Sequence, residues 1–169
     1  MQSDLLKASA WITAKWLGGA IRNAHCEDAG IDLAEFGAFQ ANLAEVIVLD
    51  HGADFLVSRW GAEIGMLCGG NQRNRRLSAL PQPSRGQLRR ICVRAMASRL
   101  PAAESAIWAV RGGIWECVML ALPTAGTEDG VSSLLIALLF APHPLFDSPF
   151  QPDDAAFAIA PPSTSGERA

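Results

Sequence analysis

Apolar residues recur at two different spacings along the chain, and the change of spacing separates helices from strands. Between residues 3 and 24 they return every three to four positions, which predicts an amphipathic helix capped by Ser3. A second short helix is expected over residues 31–42. Residues 84–100 repeat the helical spacing and predict the longest central helix, which must end before Pro101.

Five shorter runs have the composition of β-strands. Residues 45–50 and 55–60 flank a turn and predict a hairpin, and residues 103–111, 114–122 and 131–140 follow the central helix. The last two runs are almost continuously apolar, so we expect both of their faces to be covered. Two strands, then helices, then three strands predict an α+β fold in which a five-stranded antiparallel sheet carries helices on one face.

Composition supports a folded domain between two flanking segments. Half of the residues are hydrophobic and 18% are charged, as in globular proteins. We expect an N-terminal helical extension (1–30), a central domain (31–141) and a tail (142–169) that holds six of the ten prolines. No run approaches the roughly 18–20 apolar residues of a membrane span, and no secretory signal opens the chain. A cytoplasmic protein without membrane contact is therefore expected.

Basic residues are concentrated in one part of the chain. Residues 64–103 contain no acid and hold eight of the fourteen basic residues, although the net charge is −3. Either these arginines form a solvated helix face, or they bind an anion or an acidic partner. No aromatic residue occurs between Trp60 and Trp108, which argues against nucleic acid and favours an acidic protein or a nucleotide messenger. The candidate residues are Arg73, Arg75, Arg76, Arg85, Arg89 and Arg90.

The first helix carries candidates for self-association. Trp11, Trp16 and Leu17 either pack on the sheet of their own chain or bury against a second copy. We expect a homodimer in which these three residues take part.

Two segments carry a resemblance to a known family. In VIVLDHGADFLVSRWGAEIGMLCGG a strand ends in an acid and is followed by a turn, a D-F pair and spaced glycines; in WECVMLALPTAGTEDGVSSLLIAL an acid precedes an apolar run, a Leu-Pro pair and a second apolar run. Over residues 35–141 the chain resembles PAS domains of the alphaproteobacterial PAS_5 type. The residues that match are Asp50, Asp54, Phe55, Gly61, Gly69, Glu116, Leu122, Pro123 and Gly126.

The resemblance implies a sensory or interaction module that holds a small ligand, or nothing, between sheet and helices. Alternation places Trp115, Cys117 and Met119 on one face of their strand, without deciding which face turns inward. These side chains either line a pocket or fill an ordinary core. The full set of pocket candidates is Cys92, Met96, Trp108, Trp115, Cys117 and Met119.

Motifs for catalysis or cofactor binding are missing from the sequence. There is no nucleophile elbow, phosphate loop or dinucleotide fingerprint. Cys68 lacks the surroundings of a flavin-reactive cysteine, the helix 84–100 offers no histidine to haem, and the four cysteines form no close pair for zinc. We therefore expect no enzyme activity, no cofactor and no metal.

Two functions remain open at this point, with catalysis on the same scaffold as a third and weaker alternative. The first is a stand-alone regulatory module of bacterial signalling that acts by binding another protein, because the sequence carries no output domain. The second is a sensor in which a small molecule or nucleotide controls partner binding.

Overall fold

The computed structural model describes residues 2–23, 32–82, 84–110, 113–127 and 130–143, and its centre is one antiparallel sheet. In space the five strands lie in the order β2-β1-β5-β4-β3. The predicted α+β fold, a five-stranded antiparallel sheet with helices and an N-terminal amphipathic helix, is confirmed. The elements are α1 (Gln2–Asn23), β1 (Leu43–Leu49), β2 (Asp54–Trp60), α2 (Ala62–Leu67), α3 (Ser84–Ser98), β3 (Ala102–Val110), β4 (Gly113–Thr127) and β5 (Gly130–Pro142).

The central strands β4 and β5 are apolar on both faces, and helices cover both. The inner face, which includes Cys117, Met119 and Ile136, packs against α2 and α3. The outer face, which includes Leu120 and Leu135, packs against α1. This packing confirms the prediction that the two strands are covered on both faces. An uncovered face would expose several leucines to water, which is unfavourable.

Helix α1 belongs to this outer layer. Its residues Leu5, Ile12 and Trp16 are buried against β4 and β5. The indole Nε1 of Trp16 donates a hydrogen bond of 2.7 Å to the carbonyl oxygen of Pro123, which fixes the helix against the sheet. The N-terminal segment that the sequence marked as an extension therefore supplies one wall of the core.

The predicted second helix is a 3-10 helix over Leu33–Asn42. Asp32 caps it by accepting a hydrogen bond of 2.9 Å from the backbone N–H of Ala34. Gly37 interrupts it with φ 51° and ψ −123°, a conformation that glycine tolerates best. The short helix predicted over 31–42 is thus present over Leu33–Asn42 as a 3-10 helix with a kink at Gly37, and residue 31 lies outside the described residues.

The strand runs predicted over 114–122 and 131–140 are longer in the structure, so the loop that would fill the gap between them is wrong. Strand β4 continues to Thr127 and β5 already begins at Gly130, so the hairpin is longer than expected. Pro123 does not end the strand, since the pairing with β5 shifts register on either side of Ala125 and absorbs the irregularity as bulges. The tail predicted from residue 142 lies outside the described residues beyond His143.

Candidate functional site

The predicted pocket residues occupy the inner core rather than one open cavity. Cys92, Trp108, Cys117 and Met119 are at most 1% exposed and pack with the hydrophobic residues of α3. The face of β4 that carries Trp115, Cys117 and Met119 is thus the one that turns toward α2 and α3, which sequence alternation had left open. Their role in ligand binding stays a prediction.

Met96 packs against the turn between β1 and β2. Gly52 in that turn has φ +92°, and a Cβ on it would lie 2.6 Å from the sulfur of Met96. The methionine therefore packs directly beneath the turn, where only glycine leaves it room.

The buried thiols are not nucleophiles. Cys68, Cys92 and Cys117 are free and buried. Burial raises the pKa of the Cys68 thiol to about 11 and also raises the pKa values of Cys92 and Cys117. All three are therefore protonated near neutral pH, the unreactive state of a cysteine.

Open space adjoins the sheet beside α2, in two clefts that share Leu67. One cleft, of about 370 Å³, is lined among others by Asn42, Glu63, Trp115 and Phe140. The second, of about 240 Å³, is lined by Cys68, Gln82, Ser84 and Trp108 among others. The rings of Trp108 and Phe140, 5.5 Å apart, lie between them. Two of the six predicted pocket residues, Trp108 and Trp115, thus border open space beside α2.

Two indoles in this region differ in how their N–H groups are used. Trp108 donates its Nε1 hydrogen to the side-chain oxygen of Gln87. The Nε1 of Trp115 is buried and has no acceptor among the described residues. A buried donor without a partner costs about 1–3 kcal/mol, so Trp115 offers a place where an acceptor would be bound favourably.

Three of the predicted arginines meet at one corner of the molecule. Arg89 donates to the carbonyl oxygen of Ala53 (3.1 Å), and Arg85 donates to that of Ser78 (3.4 Å). Arg76 lies 3.9 Å from the carboxylate of Asp54. These contacts bring residues from a loop and from α3 to the same end of β2.

Arg73 and Arg75 extend this group along the neighbouring loop. The backbone of Arg75 pairs with β2 through a hydrogen bond of 2.9 Å from Val57, and its guanidinium donates to Gln72 (3.3 Å). We call the five exposed residues Arg73, Arg75, Arg76, Arg85 and Arg89 the arginine corner.

Arg90 does not belong to the arginine corner. It makes a two-bond ion pair with Glu104 on β3, which lies at the opposite edge of the sheet from β2. The hydrogen bond from Arg90 lowers the pKa of Glu104, and the carboxylate neutralises the guanidinium. Grouping Arg90 with the others was therefore wrong: consecutive helix positions such as 89 and 90 point about 100° apart.

Asp54 contacts several groups at the arginine corner. In the sequence it was noted only as one of the residues that match the PAS_5 pattern. Its carboxylate accepts hydrogen bonds from the Ser78 hydroxyl (2.6 Å) and from the backbone N–H groups of Phe55 (2.8 Å) and Ser78 (3.2 Å). Burial alone would raise the pKa of Asp54, but these hydrogen bonds and the charge of Arg76 outweigh it and lower the pKa.

The residues predicted for self-association occupy three different environments. Trp16 is buried within its own chain, whereas Trp11 is 39% exposed and packs against Phe39, with ring centroids 5.3 Å apart and ring planes tilted by 45°. Leu17 is 51% exposed. Packing on the chain's own sheet thus accounts for Trp16, while a role of the three residues in dimerisation stays a prediction.

Within the described residues, no group of three or more histidine, cysteine, aspartate or glutamate side chains could hold a metal ion. No helix in the described part of the chain has the length and apolar character needed to cross a membrane.

Comparison with known proteins adds little beyond the fold. No family model and no curated protein matches the chain. A solved structure of a fungal LOV-domain photoreceptor is 14% identical, covers 74% of this chain and 90% of that one, and superposes with a TM-score of 0.41. This likeness is too distant to support a function, and membership of the PAS_5 type stays a prediction.

The Asp54–Ser78 contact predicts an acid-sensitive contribution to stability. Because the pKa of Asp54 is lowered by folding, its contribution is complete above the ordinary pKa and is lost as pH falls through the folded value. Asp54→Asn should lower the free energy of unfolding at pH 7 by about 1–2 kcal/mol. The difference from wild type should shrink below about pH 4.

Urea unfolding of both proteins from pH 7 to pH 3 measures this difference. Ser78→Ala is the matched control, because it removes the 2.6 Å hydroxyl donor, keeps the carboxyl group and should reduce the acid sensitivity in part. A wild type minus Asp54→Asn difference that is constant with pH would contradict the assignment.

Proposed function

We propose that the protein is a non-catalytic, PAS-like regulatory module that binds an acidic partner protein through the arginine corner. The observation that supports this most directly is the convergence of Arg76, Arg85 and Arg89 around Asp54 and Ser78. A bacterial signalling role and self-association belong to the same proposal.

The donors at the corner are held in place but largely free. Each guanidinium has five N–H donors, and the described contacts of Arg85 and Arg89 use one each, to backbone carbonyls. The single carboxylate described in contact with the corner, that of Asp54, is already engaged by Ser78 and Phe55. Pre-positioned guanidinium groups with spare donors suit the bidentate recognition of carboxylates.

A protein fits this surface better than nucleic acid. Single strands are bound by basic grooves that also stack bases on aromatic rings. The arginine corner lies on the loop 72–76 and on α3, and neither contains an aromatic residue. An acidic protein surface requires only the charges and the fixed geometry.

Binding to acidic polymer tests this proposal. The double variant Arg85→Gln/Arg89→Gln should bind fluorescent poly-glutamate at least about tenfold more weakly than wild type, since each charge-assisted hydrogen bond contributes about 1.5–3 kcal/mol. The change should be larger at low salt. Fluorescence anisotropy measures both effects.

Arg94→Gln is the matched control, since Arg94 lies on the same helix and contacts Ala103 on β3 instead. Equal affinity of the double variant and wild type would contradict the proposal. So would a preference for single-stranded oligonucleotide over poly-glutamate that the double variant abolishes, because that result would identify a nucleic-acid site.

A ligand sensor is the second candidate function. The supporting observation is that Trp115, whose buried Nε1 has no acceptor among the described residues, lines a cleft of about 370 Å³. The lining combines Phe140 and Leu67 with Asn42 and Glu63, a mixture that suits a small, partly aromatic molecule with a hydrogen-bond acceptor.

Native mass spectrometry of freshly purified protein, with an absorbance scan of the same sample, tests for such a molecule. If the cleft is a ligand site, extra mass or colour accompanies wild type in near-stoichiometric amount and is lost in Trp115→Phe, which removes only the indole donor and some volume. Trp11→Phe, at a tryptophan remote from the cleft, should retain it. A clean apo-protein mass for wild type would exclude a tightly held ligand.

A further inference from the structure

The two edge strands of the sheet, β2 and β3, differ in whether their outward backbone groups are hydrogen-bonded. At the β2 edge, the loop around Arg75 continues the ladder, with Val57 donating to Arg75 (2.9 Å) and accepting from Asn74 (2.8 Å). At the β3 edge no further strand lies beyond in the described residues. Proteins usually shield such an edge, because unpaired N–H and C=O groups bind other strands.

The free backbone groups of β3 are identified by one contact. The carbonyl of Ala103 accepts a hydrogen bond from Arg94 on α3, so the backbone of Ala103 points away from β4. Backbone groups of alternate residues point to the same side of an antiparallel strand. Those of Ser105, Ile107 and Ala109 therefore also face outward, and no described residue pairs with them.

The side chains on this strand favour close approach. Ser105, Ile107 and Ala109 are all exposed on the outer face, and Ile107 is 60% exposed. Beside them Leu6 of α1 is 55% exposed and borders, with Ser105 and Ile107, a groove of about 200 Å³. The outer side of β3 thus presents small and apolar side chains without a charge to repel another strand.

We propose that this edge pairs with the same edge of a second copy, antiparallel and centred on Ile107. Arg94 occupies the carbonyl oxygen of Ala103, and the strand ends at Val110. The residues of β3 with both outward backbone groups free are therefore Ser105, Ile107 and Ala109, which lie symmetrically about Ile107. A two-fold axis there sets Ile107 opposite its own counterpart and Ser105 opposite Ala109 of the second copy. Each of the three pairs exchanges two N–H···O=C hydrogen bonds, so every outward backbone group of Ser105, Ile107 and Ala109 is used.

Charge and packing are compatible with that symmetry. Glu116 lies opposite Ile107 on β4, so the two copies of its carboxylate would be three strand spacings apart, roughly 14 Å, where repulsion is largely screened. The two copies of Ile107 and Leu6 would form one apolar cluster on the outer face. A second copy is favoured over a foreign peptide because the edge is its own complement, and this surface is independent of the arginine corner.

Disulfide trapping tests the register directly. Cys26, the one cysteine outside the described residues, is first replaced by serine so that it cannot cross-link. In this background Ile107→Cys places two thiols across the two-fold axis at a Cα–Cα separation of about 5.5 Å, within disulfide range. Ser105→Cys is the control on the same strand, because its two copies would lie more than about 13 Å apart. Under a mild oxidant the first variant should cross-link at least about tenfold faster than the second.

Sedimentation velocity over a dilution series tests the interface without cross-linking. Ile107→Lys should raise the dimer dissociation constant at least about tenfold. The variant buries less apolar surface in the interface, and it places two positive charges directly opposite each other across the axis. Leu100→Lys, at a leucine 62% exposed elsewhere, and Leu17→Lys on α1 should leave it unchanged. Circular dichroism checks that each variant is folded.

Several results would overturn the proposal. A monomer at every dilution, equal cross-linking of the two cysteine variants, or a dimer lost in Leu17→Lys but kept in Ile107→Lys would each do so. Slow hydrogen exchange at Ser105, Ile107 and Ala109 in a monomeric sample would also overturn it, because the edge would then be occupied within one chain or by a bound peptide.

Discussion

The burial of two central strands on both faces determines the rest of this structure. Leu134 to Leu139 of β5 are all buried, with Ile136 facing the inner layer and Leu135 the outer one. Helix α3 satisfies the first requirement and α1 the second. The N-terminal helix is consequently a layer of the fold, held by Ile12 and by the bond from Trp16 to Pro123.

Because side chains of the protein fill the interior, the groups that could bind another molecule lie at the margins of the sheet. The inner core is occupied by its own side chains, such as Trp108 and Met119, and its thiols are protonated. Among the described residues, groups without a hydrogen-bond partner lie at the margins of the sheet: guanidinium donors at the β2 edge, an indole beside α2, and backbone groups along β3. The functions proposed above use these surfaces and not the filled core.

The sequence was informative wherever one periodicity dominated. The helical spacing located α1 and α3 to within two residues, and the apolar runs located β4 and β5. It was incomplete where a local residue altered the regular pattern. The helical spacing over 31–42 did not reveal that Gly37 kinks the segment, which is a 3-10 helix. Pro123 suggested the end of a strand, but bulges in the pairing with β5 allow β4 to continue past it. Six arginines could be grouped from the sequence by their nearness along the chain, but the pairing of Arg90 with Glu104 depends on a strand distant in sequence. The orphan indole of Trp115 and the open edge of β3 have no sequence signal, since both depend on which neighbours are absent.

The most direct test of this account compares Ile12→Ala with Leu17→Ala by urea unfolding. Both changes are made in α1, but Ile12 is fully buried against the sheet and Leu17 is 51% exposed. If α1 is a layer of the core, Ile12→Ala lowers the free energy of unfolding by about 2–5 kcal/mol in a single transition, and Leu17→Ala changes it by less than about 0.5 kcal/mol. Equal and small effects, or a separate early transition for the N-terminal helix, would contradict the account.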